Sequence, residues 1–114
     1  MSSIKDERAE EMIKHLAADF LQRESNRMSL ITVTSVQLLN KRTRALILFT
    51  VLPVHKEPEA VDFANRKRND FRDYVKKNGR LQRLPKFEFG IDFGEKNRQR
   101  IEEISTVEEL GKKD

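Results

Sequence analysis

The sequence predicts an α+β fold, in which three strands form one mixed sheet and helices pack on one face of that sheet. Two observations support this prediction. The hydrophobic periodicity along the chain changes in the order helix, strand, strand, helix, helix, strand. In addition, the stretch "PKFEFGIDFG" at residues 85–94 places Phe87, Phe89, Ile91 and Phe93 at alternate positions, which form one face of a strand. A chain of 114 residues is sufficient for a single domain of this kind.

The first predicted helix covers about residues 4–24. Apolar side chains recur in this segment at intervals of three and four residues, which places them on one stripe of a helix. The members of the stripe are Ala9, Met12, Ile13, Leu16, Ala17, Phe20 and Leu21. We expect this stripe to pack against the sheet.

Two strands follow the first helix. The segment "LITVTSVQLL" is rich in β-branched residues, and the segment "ALILFTVLPV" is apolar at nearly every position. The short polar turn "NKRTR" separates them, so we expect the two strands to pair antiparallel. A strand that is apolar on both faces is typical of a central or covered strand. Pro53 predicts the end of this strand, because proline has no N–H group for the sheet.

Residues 56–80 predict two helices separated by a break. One apolar patch lies at residues 60–64 and another at residues 71–75, and the six polar residues "NRKRND" lie between them. A continuous helix would lose its apolar stripe over this gap, so we expect the break between Arg66 and Phe71. The pair Asn78-Gly79 predicts the stop of the second helix. This crossover allows the third strand to lie parallel to the second.

The third strand should direct its aromatic row inward, with Glu88, Gly90 and Asp92 facing outward. Packed against the helices, this row closes the core. The side chains that we expect to be buried are Leu16, Phe20, Ile47, Phe49, Phe71, Phe89 and Ile91.

Positive charge is concentrated in the middle of the chain. Residues 27–56 contain five basic residues and no acid, and residues 66–86 contain nine basic residues and two acids. Such clustering predicts a polyanionic partner, most simply nucleic acid, although solvated helix faces are the alternative. The candidate RNA-binding residues of the helical region are Arg66, Lys67, Arg68, Arg72, Lys76, Lys77, Arg80 and Arg83. A second candidate group in the turn between the first two strands contains Lys41, Arg42 and Arg44.

The residues offer little for catalysis or for a bound cofactor. The only histidines are His15 and His55, and His15 stands four residues before Asp19, where an exposed polar pair is the simpler interpretation. The four glycines are too scattered for a phosphate-binding loop, and no metal-ligand spacing occurs. We therefore expect no enzyme activity, no metal, no cofactor and no small-molecule substrate.

The sequence also indicates no membrane segment. The longest nearly apolar run, "ALILFTVL", is far shorter than a membrane-spanning helix, and the N-terminal residues lack the apolar core of a signal peptide. The chain contains no cysteine, which fits a reducing cytoplasm. We expect a cytoplasmic protein.

The order of the elements resembles that of the type II KH domain, an RNA-binding architecture. Within that class, the chain resembles the bacterial ribosome-binding factor A family, which has a Val-Thr-x-Val strand followed by an Ala-led strand. It also has an Arg-x-Pro unit, a Phe-containing strand with a following Asp, and an Arg-Ile pair. The matching residues here are Val33, Thr34, Val36, Ala45, Arg83, Pro85, Phe89, Asp92, Arg100 and Ile101.

The similarity extends from about Arg8 to Ile104, which is most of the chain. We therefore interpret residues 1–104 as a single KH-like domain. Residues 105–114 are interpreted as a short C-terminal helical turn and tail, in which Ser105 and Glu108 have the spacing of a capping pair.

The resemblance implies a function. Members of this family are not enzymes: they bind the small (30S) ribosomal subunit and assist its late maturation, including processing of the 16S ribosomal RNA precursor, and they matter most in the cold. The resemblance therefore implies a cytoplasmic bacterial RNA-binding protein involved in ribosome biogenesis. Its implied partners are the small ribosomal subunit and its 16S rRNA, with no membrane, and we expect a monomer.

The helix break departs from the family pattern. KH domains usually hold the nucleic-acid backbone with a Gly-x-x-Gly loop, and this family has an Ala-x-Gly kink in its place. Here the chain reads Arg68-Asn69-Asp70 at that position. Either Asn69 adopts a left-handed conformation, or Asn69 or Asp70 caps the second helix.

A different class of function remains open at this stage. The same α+β shape would serve as a protein-interaction domain that uses an exposed sheet edge or an apolar patch. An RNA-binding protein should show one continuous positive surface across the helix break, whereas an interaction domain should show an uncovered apolar patch.

Overall fold

The structure is a computed structural model, and it describes residues 4–25 and 29–95. The elements follow the predicted order. They are α1 (Ile4–Glu24), β1 (Leu30–Leu39), β2 (Arg44–Leu52), a 3-10 turn (Val54–Lys56), α2 (Glu57–Arg66), α3 (Arg68–Asn78) and β3 (Lys86–Ile91). The predicted C-terminal turn and tail at residues 105–114, with the pair Ser105 and Glu108, lie outside the described residues. So do Arg100 and Ile101.

The three strands form one mixed sheet in the order β1-β2-β3. Strands β1 and β2 pair antiparallel, and β2 and β3 pair parallel, as the short turn and the two-helix crossover predict. The register between β1 and β2 shifts between Val33 and Ser35, so Thr34 lies at a bulge. The apolar segment 44–52 is therefore the central strand.

All three helices pack on the sheet face that carries the odd-numbered residues of β2 and β3. Phe71 of α3 lies at the centre of this core, with ring-centroid distances of 5.3 Å to Phe20, 4.9 Å to Phe87 and 5.5 Å to Phe89. The buried residues around it are Ile13, Ala17, Leu21, Val33, Val36, Ala45, Ile47, Phe49, Val51, Ala60, Ala64 and Val75.

Two residues of the predicted core are only half-buried. Leu16 and Ile91 pack against the core from its periphery, whereas Phe20, Ile47, Phe49, Phe71 and Phe89 are buried as expected. Leu16 lies at the side of the α1 stripe that faces the end of α3, close to Gly79. Ile91 is the last residue of β3, where helix coverage ends.

The prediction that Phe93 continues the inward row of β3 is wrong. The side chain of Phe93 is 63% exposed, because the strand ends at Ile91 and alternation ends with it. Asp92 makes the last backbone bond to β2, from its N–H to the carbonyl oxygen of Phe49. Its carboxylate Oδ1 then accepts the N–H of Glu95, in the helical turn at residues 93–95.

The second face of β2 carries Leu46 and Leu48, which are half-buried, and Leu52, which is exposed. Within the described residues no helix packs on this face, so β2 fits the predicted central strand while its second apolar face has no helix over it there. At the end of the sheet, Leu52 pairs in register with Leu30, and both are more than half exposed.

Candidate nucleic-acid interface

The helix break lies at Lys67, inside the predicted interval. Its N–H donates to the carbonyl oxygens of Phe63 and Ala64 and so ends α2, while its own carbonyl accepts the N–H of Phe71 in α3. Its backbone angles are φ −95° and ψ 9°. One residue therefore serves as the C-cap of one helix and the N-cap of the next.

Both expectations for Asn69 and Asp70 are wrong. Asn69 lies inside α3, and the positive-φ residues of the described chain are found elsewhere, in the β1–β2 turn. No side chain caps α3, because the break at Lys67 falls two residues before Asn69 and three before Asp70. The helix stop predicted at Asn78-Gly79 is confirmed, and Gly79 ends α3 in an extended conformation with φ −102° rather than in the left-handed one that is common at such stops.

Asn65, the penultimate residue of α2, attaches the break to the edge of β3. Its amide Nδ2 donates to the carbonyl oxygen of Phe89 at 3.1 Å, and its Oδ1 accepts the N–H of Phe89 at 3.2 Å. The backbone carbonyl of Asn65 in turn accepts the Nε of Arg68 at 3.1 Å. The sheet thus fixes the position at which α3 and its basic side chains begin. The sequence analysis missed this role of Asn65, because it treated Asn65 only as one of the six polar residues between the two apolar patches.

Helix α3 exposes one basic face. Arg68, Arg72 and Lys76 follow one another at four-residue intervals, so they lie along one side of the helix. The opposite side contributes Phe71 and Val75 to the core. All three cations are exposed, as the spacing predicts.

The basic face continues on both sides of α3. Arg66 is exposed at the end of α2, and Lys77, Arg80 and Arg83 are exposed at or after the end of α3. Among residues 4–25 and 29–95, no carboxylate lies within ion-pair distance of these four cations. Lys67 differs, because its Nζ lies 3.5 Å from Glu24 Oε1 and 3.8 Å from Asp70 Oδ2.

A small cavity of about 110 Å³ lies where α3 begins beside β3. Its lining contains three cationic side chains, one amide and one aromatic ring. They belong to Arg68, Asn69, Arg72, Lys86 and Phe87. Lys86 was not among the candidates from the sequence, because it follows the helical run and opens a strand. The signal that would have found it is its place in the basic stretch 66–86.

Two residues of the second candidate group, in the β1–β2 turn, pair with acids on different elements. Lys41 is exposed, whereas Arg42 Nε lies 3.2 Å from Asp6 Oδ1 of α1. Arg44 donates twice to Glu88 of β3, from Nε to Oε1 at 3.2 Å and from Nη2 to Oε2 at 2.7 Å. The structure therefore does not keep the three turn residues together as one patch.

Glu88 of β3 is the acid that pairs with Arg44. The hydrogen bond from Arg44 holds the pKa of the Glu88 carboxyl below its usual value, and the charges of Arg44, Lys86 and Arg68 add to this effect against a smaller cost of burial. The same pair raises the pKa of Arg44. Glu88 is thus an anion paired with Arg44 of β2, and the charges of Lys86 in β3 and Arg68 in α3 favour its ionised form.

The exposed surface offers no tyrosine platform for stacking bases. Tyr74 is the chain's only tyrosine, and it is half-buried against Phe20 with a ring-centroid distance of 5.5 Å. The guanidinium of Arg23 covers its ring, 5.5 Å from the centroid.

The histidine pair expected on α1 does not form. His15 Nε2 lies 3.3 Å from Glu11 Oε1, one turn before it, rather than on Asp19, and both side chains of the observed pair are largely exposed. Among the described residues, no group of three His, Asp or Glu side chains is arranged to hold a metal ion. No described helix has the length and apolar content needed to span a membrane.

Three helices on one face of a mixed β1-β2-β3 sheet, with a basic break between α2 and α3, define an α+β domain of the type II KH class. The family model for ribosome-binding factor A matches residues 5–105. The chain therefore belongs to the ribosome-binding factor A family.

Two solved structures share this fold. The crystal structure of ribosome-binding factor A from Thermus thermophilus has 21% sequence identity and a TM-score of 0.67, covering 75% of this chain and 92% of that one. The solution NMR structure of a Thermotoga maritima protein, assigned provisionally as a ribosome binding factor A, has 24% identity and a TM-score of 0.64. It covers 78% of this chain and 88% of that one. No curated protein sequence matches the chain.

Proposed function

We propose that this protein binds the small (30S) ribosomal subunit through its 16S rRNA and assists the late maturation and processing of that RNA. It acts in the cytoplasm as a monomer, by binding rather than by a chemical step, and it contributes most in the cold. The observation that carries the proposal is the set of exposed basic side chains along α3 and beyond both of its ends, in a chain of the ribosome-binding factor A family.

The surface suits a phosphate backbone rather than a single small anion. It presents exposed arginines and lysines along α3 and beyond both of its ends, and each cation that neutralises a phosphate releases counterions. Asn65 holds the helix break on β3, so the cations at the start of α3 are positioned before any RNA arrives. Preorganisation of this kind reduces the ordering cost of binding.

The test is co-sedimentation with purified small subunits, with large subunits as the comparison. We expect the protein to pellet with small subunits at low salt. The triple variant Arg68→Glu, Arg72→Glu, Lys76→Glu replaces three exposed cations of one face, so it should fold and lose this association. Exposed substitutions of this kind usually change the free energy of unfolding by under about 0.5 kcal/mol each.

The matched control is Lys5→Glu, Arg8→Glu, Lys14→Glu, which makes the same change of net charge on α1. This control should pellet like the parent, and circular dichroism should show both triple variants folded. A folded α3 variant that pellets as well as the parent would mean that the basic face is not the binding surface. A parent protein that ignores small subunits at low salt would contradict the proposed function.

One observation favours the second candidate, a protein-interaction domain. Leu30, Leu52 and Val54 are 62%, 58% and 51% exposed, and the first two are neighbours in register at one end of the sheet. The sheet edges themselves are partly occupied. Glu10 Oε2 accepts the N–H of Leu38 on the β1 edge at 2.8 Å, and Asn65 binds the β3 edge.

The variant Leu30→Asp, Leu52→Asp separates the two candidates. An RNA-binding α3 face predicts that this double variant pellets with small subunits like the parent. If it loses the association while the α3 triple variant keeps it, the apolar end of the sheet is the interface and its partner is a protein.

A further inference from the structure

We propose that Arg44, Arg68, Arg72 and Lys86 form a site for one phosphate group of RNA, and that the carboxylate of Glu88 occupies part of this site in the free protein. The inference rests on the proposed function and adds to it a particular subsite and a resident competitor for that subsite.

Two separate observations share the same pair of cations. The cavity of about 110 Å³ at the start of α3 is lined by Arg68 and Lys86, together with Arg72 and the amide of Asn69. Arg44, which donates to Glu88, is the register partner of Lys86, and Glu88 lies two residues beyond Lys86 on the same face of β3. The charges of Lys86 and Arg68 also help to lower the pKa of the Glu88 carboxyl. The cavity and the ion pair are therefore parts of one cationic cluster.

The cluster has room and charge for a phosphate. The cavity volume of about 110 Å³ is larger than the volume that three water molecules occupy in the liquid, at about 30 Å³ each. The proposed site contains four cations and one carboxylate, which leaves an excess of three positive charges. Repulsion among these cations makes a further anion favourable at this place.

Glu88 uses the geometry that a phosphate would use. Arg44 donates from Nε and Nη2 to the two carboxylate oxygens, which is the bidentate arrangement that arginine also forms with phosphate oxygens. The side chains of Arg44 and Glu88 are 43% and 30% exposed. Water and ligand can therefore reach the pair, and exchanging an exposed pair of this kind costs little.

The position of Arg68 does not depend on Glu88. Its Nε donates to the carbonyl of Asn65, and Asn65 is bound to the backbone of Phe89. Removing the carboxylate should therefore leave Arg68 in place. Glu88 is thus a competitor of the ligand rather than a support of the site.

This arrangement predicts a gain of binding from the loss of an acid. Glu88→Gln keeps the size of the side chain and removes the competing charge, so phosphate affinity should rise about two- to fivefold, the value of one exposed ion pair. A purely structural cross-strand pair predicts the opposite, since its loss would only loosen the sheet. The matched control is Glu59→Gln, which removes an exposed acid paired with Lys56 at 3.4 Å, far along α2 from the break.

The experiment is an NMR titration of the isolated protein with inorganic phosphate. We expect the backbone amides of Asn69 and Lys86 and the guanidinium Nε–H groups of Arg44 and Arg68 to shift. The Glu88→Gln variant should reach half-saturation at about a two- to fivefold lower phosphate concentration, and Glu59→Gln should match the parent. Lys86→Gln should weaken binding by a similar factor, and this variant tests the site even if Glu88→Gln does not fold.

The inference would be overturned if phosphate shifted only the resonances of other residues. It would also be overturned if the Glu88→Gln variant bound phosphate no more tightly than the parent protein. The outcome is separable from that of the proposed function. A parent that pellets with small subunits while phosphate leaves these resonances unmoved rejects the subsite alone. A parent that binds phosphate here but does not pellet with small subunits rejects the proposed function alone.

Discussion

At the residue scale, Asp92 shows how one side chain ends a strand. Its N–H completes the pairing of β3 with Phe49, and its carboxylate accepts the N–H of Glu95 and the hydroxyl of Thr34 at the β1 bulge. These bonds, that of Thr34 first, hold the pKa of the Asp92 carboxyl below its usual value. The carboxylate thereby links the first and last strands, which the sequence does not show.

We expect Asp92→Ala to lower the free energy of unfolding by about 1 kcal/mol, the typical cost of losing a capping carboxylate. Urea unfolding at pH 7 measures this difference. The pKa of Asp92 in the folded protein is below its value of about 3.9 in the unfolded chain. The carboxylate therefore makes its full contribution to the free energy of unfolding above about pH 3.9, and this contribution is lost as the pH falls through the folded-state pKa. The gap between parent and variant should therefore close in acid. Asp19→Ala, at an exposed position of α1, should show no such gap, and a gap that stays constant far into acid would contradict this role.

At the element scale, the end of α3 depends on a close approach rather than on a special backbone angle. A Cβ atom at Gly79 would lie 2.8 Å from the carbonyl oxygen of Val75, 3.2 Å from Leu16 and 3.3 Å from Met12. The φ of Gly79 is one that any residue adopts, so the requirement for glycine is steric. The Asn78-Gly79 pair therefore predicts the end of α3 correctly, but glycine is needed there for space rather than for a left-handed backbone conformation.

Gly79→Ala should lower the free energy of unfolding by about 1–3 kcal/mol, because the backbone carbonyl of α3 must move to admit the methyl group. Gly90→Ala is the matched control. A Cβ there would meet only Leu48 Cδ2, at 3.7 Å, on the face that carries no described helix. Its stability should equal that of the parent or exceed it by up to about 1 kcal/mol. Equal melting temperatures for the two alanine variants would show that the α1–α3 contact tolerates the added carbon.

At the scale of the whole molecule, the apolar core and the basic side chains lie on opposite sides of the helices. The helices bury their apolar stripes on one sheet face, and the basic residues lie on the outer side of α3 and around the break. Binding to RNA should therefore be sensitive to salt, while folding should not.

Small-subunit affinity should fall steeply as salt rises, and the slope should report the α3 cations. Replacing Arg68, Arg72 and Lys76 with Gln should reduce the slope of log K against log salt by about 2, since each lost phosphate contact contributes roughly 0.7–0.9. Pelleting over a series of salt concentrations measures this slope. The corresponding glutamine variant at Lys5, Arg8 and Lys14 should keep the slope of the parent. Equal slopes for the two variants would place the phosphate contacts elsewhere on the protein.

The sequence by itself determined the element order, the central strand and the helix break. Each of these depends on periodicity or on a polar gap within a short window, which is local information. The α1 and β1 bounds coincide with the apolar and β-branched patterns at residues 4–24 and 30–39. The break follows from the loss of the apolar stripe, whatever the residues at the cap.

Only the tertiary structure decided which charged side chains meet. Arg44 and Glu88 are 44 residues apart in the chain, and Asn65 and Phe89 are 24 apart. Their contacts depend on the parallel register of β2 and β3 and on where the crossover helices lie against β3, neither of which leaves a local signal. The sequence therefore predicted a basic surface, and the fold decided that Arg44 pairs with Glu88 two residues beyond Lys86 on β3.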